Sequence, residues 1–218
     1  AKSDWSWSTL FCDLNNDTQK DIFITNGYKR DTRDNDLKAK ILAFQETNAN
    51  PSIQDVLSVF PSTLIANKLF VNGGDLMFKD EGESAGITQV MHSHGAAYAD
   101  FDNDGDLDLI VNNVDDAAVI FKNQLNPKNN WIQIDLAKSE QNGAICYVYE
   151  QGEVQMQRLE RVRGYASSVS TVLHFGLQNT EAPDSVLVQL LNGDLYAFDQ
   201  PEAGRKHTFD FSSARKTV

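Results

Sequence analysis

Apolar residues in this 218-residue chain come mostly in short β-branched or aromatic runs separated by turn residues, a strand pattern rather than a helical one. Ile22-Phe-Ile, Leu69-Phe-Val and Leu109-Ile-Val are such runs in the N-terminal half. From Trp131 onward, strands are expected at Trp131–Leu136, Ala144–Tyr149, Val154–Leu159, Val172–Phe175, Val186–Leu191, Leu195–Phe198 and His207–Phe211. Strands so spaced predict a compact β-sandwich or barrel. One stretch, about residues 28–66, changes period. Leu37, Ile41 and Phe44 recur at helical spacing, and Ser52 precedes Asp55 by three residues as in a capping box. Pro61 then ends the turn. Two short helices packed on the outside of the sheet are expected there.

The N-terminal half repeats itself. A shift of 87 residues lays Leu10–Asn26 onto Ala97–Asn113, and a shift of 51 lays Leu69-Phe-Val-Asn72 onto Ile120-Phe-Lys-Asn123. Residues 67 to 113 read as one antiparallel unit: a strand at Leu69–Val71, a turn at Asn72-Gly-Gly-Asp75, a strand at Met77-Phe-Lys, then Gly95–Ala99 and Leu109–Asn112 around an acidic loop. A repeated four-stranded unit of this kind is what a β-propeller blade looks like. The expected fold is mainly β: partial propeller blades with the helical insert over residues 1–127, then a small β-sandwich or barrel-like domain over 128–218. The polar stretch Asn126-Pro127-Lys-Asn-Asn130 marks the boundary.

The duplicated segments carry the candidate chemistry. In Asp100-Phe-Asp102-Asn-Asp104-Gly105-Asp106-Leu-Asp108, oxygen ligands fall at positions 1, 3, 5 and 9, and the carbonyl of Asp106 can add another. This suits a hard cation, calcium, that takes six to eight oxygens at about 2.3–2.6 Å. Gly105 permits the sharp turn, and Phe101 can point into the core as an anchor. The other loop offers Asp13, Asn15, Asp17, Gln19 and Asp21. Asn15 replaces a carboxylate and Thr18 takes the glycine position, where strain costs on the order of 1–2 kcal/mol, so weaker binding is expected. An EF-hand needs an acid at position 12 and a following helix; Ile24 and Val111 stand there instead, ahead of strands.

Composition narrows the function. Lys+Arg 19 against Asp+Glu 31 gives a net charge of -12, which argues against nucleic acid and anionic lipid as partners. The two loops hold eight of those acids, so the acidity is largely local. No apolar run approaches the roughly 18–20 residues of a membrane span. The start, Ala1-Lys-Ser-Asp-Trp, has neither an initiator Met nor signal-peptide regions, and reads as part of a longer chain. Cys12 and Cys146 are expected as buried free thiols. His92 and His94 could hold zinc but lack a visible third ligand, and His174 reads as a hydrogen-bonded core histidine. The run Arg30–Asp36 reads as a salt-bridged surface turn, and Arg158, Arg161 and Arg163 as an exposed strand face.

Gly95–Leu109 and Asn67–Asn72 resemble FG-GAP or VCBS repeats, the blades of integrin-α-type propellers. Gly143-Ala144, Arg163-Gly-Tyr-Ala-Ser167, Leu173-His-Phe-Gly-Leu177 and Asn192-Gly193 resemble the ASPIC and UnbV domain of cartilage-acidic-protein-like and bacterial surface chains. Gln178 stands where that family usually has a third glycine, and Leu190-Leu191 where it has Trp-Pro. The resemblance implies calcium in the acidic loops, and further blades upstream in the parent chain or an open sheet that needs cover. It also implies a non-enzymatic, extracellular or cell-surface recognition or adhesion module that binds protein or carbohydrate. An accessory domain of a secreted polysaccharide-processing enzyme, with catalysis elsewhere in the parent, is the alternative. Hydrolytic activity of the C-terminal domain itself is a third reading, for which a buried Asp, Glu or His pair in a cleft would be the sign.

Overall fold

The computed structural model describes residues 5–33, 35–125, 129–136, 141–212 and 215–217. In chain order, β1 (Ser6–Cys12) and β2 (Asp21–Asn26) are followed by α1 (Leu37–Thr47) and α2 (Ile53–Ser58). Next come β3 (Ile65–Ala66), β4 (Lys68–Asn72), β5 (Phe78–Asp80), β6 (Val90–Met91), β7 (Ser93–Ala99), β8 (Asp108–Asn113) and β9 (Val119–Phe121). The C-terminal half has β10 (Asn130–Asp135), β11 (Ile145–Glu150), β12 (Glu153–Arg158), β13 (Leu173–Gln178) and β14 (Ser185–Gln189). It ends with β15 (Leu195–Asp199), β16 (Arg205–Thr208) and β17 (Arg215–Thr217).

Two antiparallel sheets, β1-β2-β4-β5 and β7-β8-β9, with a short antiparallel pair, β3-β6, make the N-terminal half. The repeat seen in the sequence is physical. Each sheet opens with a hairpin bulged at the same place, between Ser6 and Thr9 in one and between Ser93 and Ala96 in the other. At the foot of each bulge a serine hydroxyl donates to an asparagine carbonyl, Ser6 to Asn26 and Ser93 to Asn113. Leu10, Cys12, Phe23, Leu69, Leu109 and Val111 alternate inward from the strands and bury one shared core. The blade boundary differs from the expected 67–113 unit. β4 and β5 pair onto β2 across the insert, and β7 starts the second sheet, because Phe70 pairs with Ile22 rather than with any residue of β7 or β8. The turn at Asn72–Asp75 takes positive φ as expected, at Gly74 and Asp75.

The insert forms both helices, and α2 carries the full capping box of Ser52 and Asp55. They cover little of the sheet. Leu37 alone is buried in α1, and no residue is buried in α2, because the apolar stripe is too short to present a continuous face.

The C-terminal half is a sandwich. β13-β10-β16 forms one sheet, with β16 parallel to β10, and β12-β11-β14-β15-β17 forms the other. Ile132, Ile134, Phe175 and Leu177 of the first face Cys146, Val148, Val186 and Val188 of the second across one core. Both cysteines are buried and free. All seven expected strands are present, and β17 is additional. Arg161 and Arg163 lie beyond the end of β12 in the following loop, not on a strand face, because the ladder with β11 stops at Arg158. Residues 126–128, on which the expected boundary falls, lie outside the described residues, as does Asp34 of the Arg30–Asp36 run; Arg33 in that run pairs with Asp31.

Phe175→Ala should cost about 3–5 kcal/mol, because it empties a fully buried ring site. Ser52→Ala should change global stability by less than about 0.5 kcal/mol, because α2 frays without disturbing either core. Urea unfolding of the two variants checks this; similar losses would show that the insert is part of the cooperative core.

Candidate metal centre

The two acidic loops bridge β1 to β2 and β7 to β8, and the backbone N–H groups taken by their first and ninth aspartates correspond position by position. The first aspartate of each loop accepts two backbone N–H groups. Asp13 takes those of Asp17 at 3.1 Å and Thr18 at 2.8 Å, and Asp100 takes those of Asp104 and Gly105, both at 3.1 Å. The ninth aspartate joins the start of the loop to the chain that returns beside it, at the end of β4 in one sheet and just past β9 in the other. Asp21 accepts from Leu14 N and Asn72 N, both at 2.9 Å. Asp108 accepts from Phe101 N at 3.0 Å and Asn123 N at 2.8 Å. The echo of Asn72 in Asn123 therefore marks the residue that closes each loop. Position 4 is asparagine in the left-handed region in both, Asn16 and Asn103 with φ 58. Position 6 has φ 92 at Gly105 and φ 76 at Thr18, the strained conformation expected of that threonine.

The loops differ in what they assemble. Asp100, Asp102 and Asp108 each place a carboxylate oxygen within 4.8 Å of the others, the one such group among the described residues. Three hard carboxylate oxygens without thiol or imidazole, gathered in that space, fit an ion such as calcium. Lys122 pairs with Asp102, and that bond raises the lysine's pKa. Asp104 and Asp106 lie outside the group: Asp104 accepts from Asp106 N at 3.2 Å, and buried Asp106 accepts from Leu125 N at 3.3 Å. Phe101 is 49% exposed and does not anchor the loop. Its backbone N–H does so, through Asp108.

In the first loop, which offers Asp13, Asn15, Asp17, Gln19 and Asp21, the three aspartates do not gather into a comparable carboxylate group. Asp17 spends its oxygens on Asn15 Nδ2 and Gln19 N, at 2.9 and 2.8 Å, and Gln19 is exposed. Burial pushes the Asp13 carboxyl up to about 6, with Lys20 opposing the rise, and burial also raises Asp21. Lys20 Nζ lies 5.9 Å above the ring of Phe175, its own pKa lowered by burial. The first loop thus carries a cation of its own at position 8, where the second has Leu107.

Among the described residues, no histidine belongs to a metal-fitting group. His92 Nε2 meets Ser62 Oγ at 2.8 Å, and the His94 ring packs 4.1 Å from that of Trp7. His174 is buried, its Nε2 2.7 Å from Asn16 Oδ1, and burial lowers its pKa to about 3. It is the expected core histidine, but its partner comes from the other half of the chain. Asn16 and Gln133, which also reaches a loop, were not visible as site residues in the sequence; the left-handed asparagine shared by both loops was the only signal.

Residues 52–111 match the model of the FG-GAP-like repeat, and residues 137–216 match that of ASPIC and UnbV. The chain carries an FG-GAP-like repeat followed by an ASPIC and UnbV domain. The FG-GAP match takes in β7, the second loop and β8 as far as Val111 but not the first loop, whose aspartates nonetheless capture backbone N–H groups in the same way. The ASPIC and UnbV match begins after β10, although β10 is the middle strand of that domain's smaller sheet. No curated protein matches the chain.

With divalent ions chelated, Asp13, at about 6 against its ordinary 3.8, binds its proton more tightly folded than unfolded. That contribution to stability is complete below about pH 4 and disappears as pH rises through the folded value. Melting curves in chelator from pH 4 to 7 should fall more steeply for the wild type than for Asp13→Asn. Parallel profiles would contradict a perturbed Asp13.

Proposed function

We propose that this chain is a calcium-stabilised, non-enzymatic recognition module that works outside the cell or at its surface and binds protein or carbohydrate. The observation that carries the reading is the group of Asp100, Asp102 and Asp108 oxygens within 4.8 Å of one another. Carboxylates so close repel unless a cation lies among them, and a single exposed lysine screens them only in part. Sites of this open, single-loop kind suit the high calcium levels found outside cells.

The strands link the metal end to a surface fit for recognition. β1 and β7 end in the acidic loops and begin beside an aromatic cluster. Trp5 stacks on Tyr28 at 4.7 Å, Trp7 lies 4.8 Å from Tyr165, and the Arg33 guanidinium sits 4.7 Å above Trp5. Tyr165 is 45% exposed. Trp, Tyr and Arg together are the residues most enriched where binding energy concentrates. A cation that fixes the loops also fixes the strands that present these rings. In the sandwich, buried His174 is held by Asn16, which supports binding over the hydrolytic reading.

Calcium should raise the melting temperature of the wild type in proportion to the logarithm of its free concentration, by about 2.7 kcal/mol of stabilisation at a hundredfold excess over Kd. Asp102→Asn should lose most of that shift, and Trp7→Ala should lose binding on glycan or protein arrays while keeping it. If chelator leaves the wild-type melt unchanged, the calcium role is wrong.

A further inference from the structure

The sandwich is built directly onto both acidic loops. At Gly176 in β13, an added Cβ would lie 2.3 Å from Asp13 Oδ2 and 2.5 Å from Asn16 Cα, so the first loop rests on that strand with no room for a side chain. The backbone N–H of Gln178 donates to Asn16 O at 3.1 Å, and its side-chain Nε2 donates to Asp17 O at 2.8 Å. The second loop is held in the same manner. A Cβ on Gly105 would fall 1.8 Å from Trp131 Nε1, and Gln133 Nε2 donates to Asp100 Oδ2 at 2.7 Å. At the far end of β1, Tyr165 N donates to Ser8 Oγ at 3.1 Å, and a Cβ on Gly164 would lie 2.1 Å from that oxygen.

Asn16 is the hinge of this arrangement. It is buried, its Nδ2 donates to Gly105 O in the other loop at 2.9 Å, and its Oδ1 faces His174 Nε2 at 2.7 Å. Because Nδ2 is committed to a carbonyl, Oδ1 must accept, and His174 carries its proton on Nε2. One carboxamide therefore ties loop to loop and both loops to the sandwich. Asn103, its counterpart in the second loop, is exposed.

We propose that Asn16 and Gln133 couple metal loading of the second loop to docking of the C-terminal sandwich, and that the segments Arg163–Ser167 and Leu173–Gln178 are interdomain docking elements. The coupling, though not the docking geometry, rests on the calcium reading above. Gln133 fixes the orientation of an Asp100 carboxylate that belongs to the metal-fitting group. The turn at Gly105, which an ion would shape, is the surface met by Trp131 and Asn16. Linkage of this kind is reciprocal: calcium tightens docking, and docking tightens calcium binding.

Hydrogen exchange of the Gln178 amide reads docking directly, and calorimetric titration with calcium chloride reads affinity, both on the whole chain. Calcium should slow Gln178 exchange about tenfold or more. Gln133→Met keeps the bulk and Asn16→Gly keeps the left-handed backbone; each should weaken calcium about tenfold, as loss of a group that orients a ligand does, and reduce the protection of Gln178. The coupling is overturned, with the calcium reading intact, if calcium binds the wild type while Gln178 exchanges at an unchanged rate. Wild-type affinity in both variants overturns it equally. Absence of any calcium heat overturns both. Should a variant fail to fold, the wild-type exchange comparison decides alone.

Discussion

Two carboxylates in each acidic loop, those of its first and ninth residues, capture backbone N–H groups of the loop and of the chain that returns beside it. Asp13 and Asp100 close the loop on itself; Asp21 fastens it to the end of β4, and Asp108 to the chain just past β9. These charge-assisted bonds set where each hairpin turns, and therefore the register of the strands that carry the core. The same bonds leave the remaining lone pairs of Asp100 and Asp108 gathered with Asp102. Loop closure thus uses two of the three carboxylates that gather into the metal-fitting group.

Such closure concentrates negative charge, and the two loops meet that cost differently. The first buries Asp13 and Asp21, turns the Asp17 oxygens to its own N–H groups and brings in Lys20. The second leaves Asp102 exposed with Lys122 beside it and gathers three carboxylates. One backbone scheme, duplicated at a shift of 87 residues, has diverged in its side chains. The first copy sets Lys20 against its acids, the second gathers three carboxylates in an arrangement that fits a cation, and both rest on the sandwich.

Much of this was readable from residue order, because strands, turns and caps are governed by neighbours. The 87- and 51-residue echoes, the sandwich strands, the capping box at Ser52 and the positive φ of Thr18 are all local features. Partner choice is not local. Which sheet β4 and β5 join depends on an insert of helices whose length says nothing about where the chain returns. Phe101 looked like an anchor because it is apolar between ligands, yet Asp108 holds its amide and the ring turns outward. The docking role of Gly176 and Gly164 was invisible for a related reason: a glycine's need for space shows only when the surface that fills it is known. Asn16 and Gln133 act across 158 and 33 residues of separation, and no periodicity encodes such pairs.

The most direct measurement is a crystal structure grown in calcium, with anomalous scattering collected to locate the ion. The account predicts a peak among Asp100, Asp102 and Asp108, stronger than any at the first loop, with Lys122 displaced from Asp102. A well-ordered second loop with its carboxylates facing only solvent, in saturating calcium, would contradict it.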